Sequence, residues 1–131
     1  MRELLLVAIG GAAGSVARWL LSMWVDARLV TLWPGFPWGT LVVNISGCLA
    51  IGVLSAWVIQ PWVRHLLMIG VMGGFTTFSS FALQTAQLNG AGAQAQAFAY
   101  IAASVVLCLI AVWLGMQLGG QITAWHARGP A

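Results

Sequence analysis

The chain consists of long apolar stretches separated by short breaks of turn-forming and charged residues. Four stretches reach the length of about 20 apolar residues that a helix needs to cross the hydrocarbon core of a bilayer. They run approximately over residues 4–25, 38–60, 63–88 and 95–122. The breaks contain residues such as Pro34, Pro37, Pro61 and Gly90. The pattern predicts an all-α protein of four transmembrane helices that form one domain over residues 1–131.

The composition supports a lipid environment. Hydrophobic residues make up 61% of the 131 residues and charged residues only 5%, whereas about 25% of a typical soluble domain is charged. The formal net charge of +3 comes from five basic and two acidic residues without a basic patch, so nucleic acid is not a predicted partner. Cys48 and Cys108 lie inside apolar stretches, and no disulfide is predicted.

The arginines give little sign of how the chain is oriented. Four crossings place both termini on one side, together with Arg2, Arg64 and Arg128, against Arg18 and Arg28 on the other side. Three against two is close to balance under the positive-inside rule. The balance permits insertion in both orientations and a dimer of oppositely oriented copies, but so weak a bias is also compatible with a single orientation.

Polar residues inside the apolar stretches are the first candidates for function, because they are costly in hydrocarbon. Glu3 and Asp26 both lie at helix ends, so no carboxylate is expected at mid-membrane. Arg18 either extends to the membrane interface or faces an aqueous vestibule, where its charge would attract anions. Asn44 either forms an interhelical hydrogen bond or offers its NH₂ group to a small anion.

The third stretch contains the most unusual segment, residues 73–81. Gly73 and Gly74 disfavour a continuous helix, and four hydroxyl residues that compete for backbone hydrogen bonds follow: Thr76, Thr77, Ser79 and Ser80. We therefore predict a break near the bilayer centre, which frees backbone carbonyls that could hold a cation.

Two further sets of side chains stand out, one in the third stretch and one in the fourth. Phe78 and Phe81 are three residues apart, and the positive edges of their rings can attract an anion without a formal charge. In the fourth stretch Tyr100, Ser104 and Cys108 are spaced by one helical turn and form a weakly polar stripe. Ordinary packing explains either group taken alone.

These residues together resemble the bacterial fluoride channel family, known as Fluc or CrcB. The similarity rests on residues 11–14 with Arg18 and Trp19, on residues 39–41 with Asn44, and above all on residues 73–81. It implies an antiparallel, dual-topology homodimer in the bacterial inner membrane that passively exports fluoride to relieve its toxicity. It also implies a central structural Na⁺ held by the backbone carbonyls of Gly73 and Thr76 from both subunits.

The resemblance further implies which residues line the two fluoride pathways, each built from both subunits: Asn44, Phe78, Phe81, Ser104, Tyr100 and, in the vestibule, Arg18. Some positions depart from the family pattern. Ala82 and Gln84 stand where a serine and a glutamate are often found, and Cys108 and Val112 replace hydroxyl residues. Any role that requires a carboxylate near Gln84 is therefore in question.

Three other readings of the sequence compete with a channel. A small dual-topology four-helix cation or multidrug exporter would need a membrane-embedded glutamate, which the sequence lacks. A non-transporting membrane scaffold would use the glycines and hydroxyls for packing only. An enzyme is not predicted, because His65 and His126 lie at loop or terminal positions without a nucleophile or carboxylate beside them.

Overall fold

The structure, a computed structural model, describes residues 1–57 and 60–128, and describes side chains up to Trp125. It contains α1 (Arg2–Leu29), α2 (Trp38–Ser55), α3 (residues 61–75), α4 (Phe78–Gly90) and α5 (Gln94–Arg128). Helices α3 and α4 together form one span, and this span, α1, α2 and α5 are each long and apolar enough to cross a membrane. The described residues contain no strand. The all-α fold with four spans is confirmed.

The predicted ends of the second span are partly wrong. Helix α2 begins at Trp38 as predicted but ends at Ser55 rather than at Gln60, and residues 58 and 59 lie outside the described part. Gln60 is extended, with φ −53° and ψ 142°, because the residue before a proline avoids the helical region. The other spans extend beyond their predicted ends, α1 to Leu29 and α5 to Arg128.

Helix α3 has an irregularity that the sequence did not suggest. It begins with one α-helical turn at Pro61–Val63, continues as a π-helix over Arg64–Met72 and closes with an α-helical turn at Gly73–Phe75. A π-helix is wider than an α-helix, and such segments often occur near functional sites. Here the π-helical segment leads directly into the interrupted part of the third span.

Close backbone contacts at glycines hold the spans together in two pairs. A Cβ atom added to Gly14 of α1 would lie 2.9 Å from the Phe75 nitrogen of α3, and one added to Gly10 would lie 3.0 Å from the Gly70 Cα. A Cβ atom on Gly52 of α2 would lie 3.1 Å from the Gly115 Cα of α5. Small residues are the usual means of helix association in lipid, so α3 is fixed against α1, and α5 against α2.

The α1–α2 connection is fixed at the start of α2. Asp26 Oδ1 accepts a hydrogen bond of 2.7 Å from the Gly39 N–H, which satisfies an N–H group that has no partner within the helix. Next to this contact lies the buried cluster of Phe36, Leu41, Leu88, Ala97 and Tyr100. The start of α2, the end of α4 and the start of α5 therefore meet in one aromatic core.

Candidate functional site

The third span is interrupted at two threonines. Thr76 has φ −81° and ψ 154°, Thr77 has φ −147° and ψ 114°, and α4 begins at the following residue. The glycines that we expected to weaken the helix remain helical at the end of α3, where Gly74 packs on the Gly11 backbone of α1. Thr77 then caps α4, since its hydroxyl accepts a 3.2 Å hydrogen bond from the Ser80 N–H.

Asn44 of α2 pairs with the interruption through both polar atoms of its side chain. Its Oδ1 accepts a 2.8 Å hydrogen bond from the Thr77 N–H, and its Nδ2 donates a 3.1 Å hydrogen bond to the Thr77 carbonyl. The second N–H of this amide has no hydrogen bond among the described residues. Asn44 therefore forms the interhelical contact that we had considered and still retains one donor.

The backbone carbonyls at the end of α3 differ in how they are satisfied. The Met72 carbonyl accepts hydrogen bonds from the backbone N–H and the hydroxyl of Thr76, both 3.0 Å long. Within residues 1–57 and 60–128, no donor reaches the carbonyls of Gly73 or Thr76. A Cβ atom on Gly73 would meet nothing within 4 Å, so this side of α3 is open in a single chain.

The two carbonyls without partners fit a hard cation, which prefers oxygen ligands. Such ions are usually bound by six or more oxygens, so two carbonyls of one chain supply only part of a site. In the described part of the chain, no three His, Cys, Asp or Glu side chains come together as an alternative metal site. A cation at this position would depend on main-chain oxygens.

Arg18 is bound to the end of α3. Its Nε donates a 3.2 Å hydrogen bond to the Gly74 carbonyl, which also lies 3.5 Å from the Ser15 hydroxyl. The Arg18 side chain is partly buried, and a cation is favourable near the C-terminal end of a helix. The positive charge of Arg18 is therefore held at the end of α3, close to the interruption.

The predicted aromatic residues form a continuous chain of ring contacts. The Phe78 and Phe81 centroids are 5.4 Å apart, and Phe81 lies 5.2 Å from Tyr100. Tyr100 in turn contacts Phe36 edge to face at 5.5 Å. Phe36 could not be predicted from the sequence, because only the fold brings a residue of the α1–α2 loop next to α5. Tyr100 is fully buried, whereas Phe78 is 80% exposed in one chain.

Two buried polar atoms beside the aromatic chain have no hydrogen-bond partner among the residues that the structure describes. They are the Ser104 hydroxyl oxygen and the Trp38 Nε1. Ser104 is only 7% exposed and follows Tyr100 by one turn, and Trp38 packs against the cluster that contains Tyr100. Nothing in the sequence marked the Trp38 N–H as buried. Unpaired buried donors are uncommon and need an explanation.

An open cavity leads toward this region from the α1–α2 loop. It has a volume of about 520 Å³, and Asp26, Phe36, Gln84, Gln87 and Gln96 are among the residues that line it. Gln84 also accepts a 2.9 Å hydrogen bond from the Tyr100 hydroxyl. We had noted Gln84 only as a departure from the family pattern. The structure places it between the cavity and the buried aromatic residues.

The fold and the site define a multi-pass membrane protein whose interrupted third span is held by an asparagine of the second. The family model described as CrcB-like protein, Camphor Resistance (CrcB), matches residues 5–116. A fluoride-specific ion channel FluC of Caulobacter sp. (strain K31) is 45% identical, with 93% of this chain and 98% of the relative covered. The FluC protein of Paracoccus denitrificans (strain Pd 1222) is 48% identical, with 90% and 94% covered. The chain belongs to the CrcB family.

Proposed function

We propose that the chain forms a fluoride-selective channel that passively exports fluoride across the bacterial inner membrane. The observation that carries this proposal is the meeting of Asn44, Phe81 and Tyr100 around the interruption of the third span. Amide and hydroxyl donors with ring edges suit a small anion that has lost part of its hydration. The relatives named above are called fluoride-specific ion channels rather than enzymes, and this supports the assignment.

The anion path that we propose begins in the cavity beside Gln84 and continues along α5 past Tyr100 and Ser104. From there it follows the rings of Phe81 and Phe78 toward the remaining N–H of Asn44. Arg18 supplies a fixed positive charge near the interruption, which raises the local concentration of anions. Gln84 is neutral, and Asp26, the carboxylate that lines the same cavity, accepts a hydrogen bond from the Gly39 N–H.

The channel that we propose is an antiparallel homodimer. Phe78 lies on the proposed path but is 80% exposed in a single chain, so a second copy is needed to enclose the path on that side. The Gly73 side of α3 is open as well. The near balance of arginines between the two sides of the membrane supports insertion in both orientations.

We further propose that the dimer holds one structural Na⁺ through the carbonyls of Gly73 and Thr76. Two copies together would offer four carbonyl oxygens, and within residues 1–57 and 60–128 of one chain these oxygens accept no hydrogen bond. A bound cation would supply positive charge that links the interrupted spans of both copies. The ion has a structural role in this account and does not move with fluoride.

Flux from liposomes tests the proposed function. The purified protein is reconstituted in liposomes loaded with potassium fluoride or potassium chloride, and efflux is started with a potassium ionophore. We expect rapid fluoride efflux and chloride efflux near that of protein-free liposomes. Equal efflux of the two anions, or no efflux of either, would overturn the assignment.

A further inference from the structure

We infer that Asn44 creates the cation site by withholding the Thr77 N–H from the Gly73 carbonyl. The inference rests on the proposed function, since it concerns the Na⁺ that we place there. It makes Asn44 a positioning residue for the cation, in addition to its place beside the anion path. Its two polar atoms would then have separate tasks, with Oδ1 serving the cation site and Nδ2 the fluoride path.

The helical series of backbone hydrogen bonds stops at the end of α3. In an α-helix each N–H donates to the carbonyl four residues earlier, so the Thr77 N–H belongs to the Gly73 carbonyl. The preceding bond of this series, from the Thr76 N–H to the Met72 carbonyl, is present at 3.0 Å. The Thr77 N–H instead donates to Asn44 Oδ1 at 2.8 Å. The series therefore stops at the residue whose donor Asn44 accepts.

The Asn44 side chain replaces the helical hydrogen-bond partners of the Thr77 backbone. An interrupted helix in a membrane must have its backbone groups satisfied by other protein groups. Asn44 satisfies the N–H and the carbonyl of Thr77 together, so the extended conformation of this residue leaves neither group unpaired. The Gly73 carbonyl is left without its helical partner among the described residues, and a carbonyl in that state remains available to a cation.

Two substitutions distinguish the roles of Oδ1 and Nδ2 of Asn44. Aspartate keeps an oxygen that can accept the Thr77 N–H but loses the donor and adds a negative charge. Leucine has nearly the same shape but neither group. Asn44→Asp should therefore retain the cation site and lose the fluoride path. Asn44→Leu should lose the fluoride path and also bind the cation more weakly, because the Thr77 N–H can return to the Gly73 carbonyl.

Thermal unfolding of the purified protein in detergent measures the cation site without reference to flux. The melting temperature is followed against Na⁺ concentration, with N-methyl-D-glucamine replacing Na⁺ at constant ionic strength. A cation that binds only the folded protein raises the melting temperature with its concentration. Ser46→Ala is the matched control, since among the described residues the Ser46 hydroxyl bonds to the Val43 carbonyl of its own helix and to no other group.

We expect Na⁺ to stabilise the wild-type protein, Ser46→Ala and Asn44→Asp over similar concentrations. In Asn44→Leu the required Na⁺ concentration should rise about tenfold, because one hydrogen bond must break before the carbonyl can bind the ion. Unchanged Na⁺ dependence in Asn44→Leu would overturn the inference. Loss of the Na⁺ dependence in Asn44→Asp would also overturn the inference. If Asn44→Leu does not fold, the result for Asn44→Asp decides alone.

The wild-type measurements keep this inference separate from the proposed function. If the wild-type protein conducts fluoride but shows no stabilisation by Na⁺, the inference is overturned and the channel assignment stands. If it is stabilised by Na⁺ but conducts no fluoride, the channel assignment fails, and the comparison of Asn44 variants still decides how the cation site is formed.

Discussion

At the scale of single residues, the buried donors beside Tyr100 are the least ordinary feature of the molecule. The Trp38 N–H and the Ser104 hydroxyl are buried without a partner in the described part of the chain, although burial of such groups is costly. A fluoride ion accepts hydrogen bonds strongly and is small enough to approach several donors. We interpret the two groups as donors kept free for the conducted anion, with Trp38 added to the residues that the sequence identified.

Replacing Trp38 by phenylalanine tests this interpretation. Trp38→Phe keeps an aromatic ring against Phe36 but removes the N–H, and fluoride efflux should fall about two- to tenfold, the effect of one hydrogen bond. The control is Trp113→Phe, at a residue of α5 that is 58% exposed, which should conduct like the wild type. Equal fluoride efflux in both variants would exclude the Trp38 N–H from the path.

Phe81 joins the interruption to Tyr100 and is the ring on which the proposed path most depends. Phe81→Ile retains an apolar side chain of moderate size but removes the ring edges near Phe78 and Tyr100. We expect fluoride efflux to fall at least about tenfold, with a variant protein that elutes from a sizing column as the wild type does. Normal efflux in a folded Phe81→Ile protein would show that the rings only pack.

At the scale of the helices, glycine contacts decide how the spans align. Gly14→Ala would force a Cβ atom against the Val71 carbonyl and to 2.9 Å from the Phe75 nitrogen. Because both obstacles are backbone atoms, α1 and α3 must move apart, and the melting temperature should fall by several degrees.

The matched control for Gly14→Ala is Gly120→Ala in α5, where an added Cβ atom meets nothing within 4 Å. Alanine is favoured over glycine inside a helix by about 1 kcal/mol, so this variant should melt at or above the wild-type temperature. A melting temperature for Gly14→Ala equal to that of Gly120→Ala would contradict the close α1–α3 packing.

The helices also show how far the sequence could predict this protein. The four spans follow from apolar length alone, and residues 73–81 indicated an irregular third span. The exact residues at which the third span is interrupted could not be predicted from the sequence, because Gly74 is kept helical by its contact with Gly11. The pairing of Asn44 with Thr77 joins residues 33 positions apart, and the buried state of the Trp38 N–H depends on the same tertiary arrangement.

At the scale of the whole molecule, the proposed function requires more than one chain. Large apolar side chains are exposed on α1 and α5, as expected for surfaces that face lipid or a second copy. Phe78, on the proposed fluoride path, is exposed, and the side of α3 at Gly73, in the proposed Na⁺ site, is open. Both belong to the interrupted span, so the incomplete parts of the two proposed ion sites lie in the same span. An antiparallel copy related by a twofold axis would complete both at once.

The central claim is that this assembly conducts fluoride passively and selectively, and the reversal potential in a planar bilayer tests it most directly. With a fluoride gradient and equal chloride on both sides, the current should reverse at the equilibrium potential of fluoride and should not shift when a proton gradient is added. Reversal near zero would contradict selective fluoride conduction, and a shift with the proton gradient would contradict passive conduction in favour of a coupled exporter.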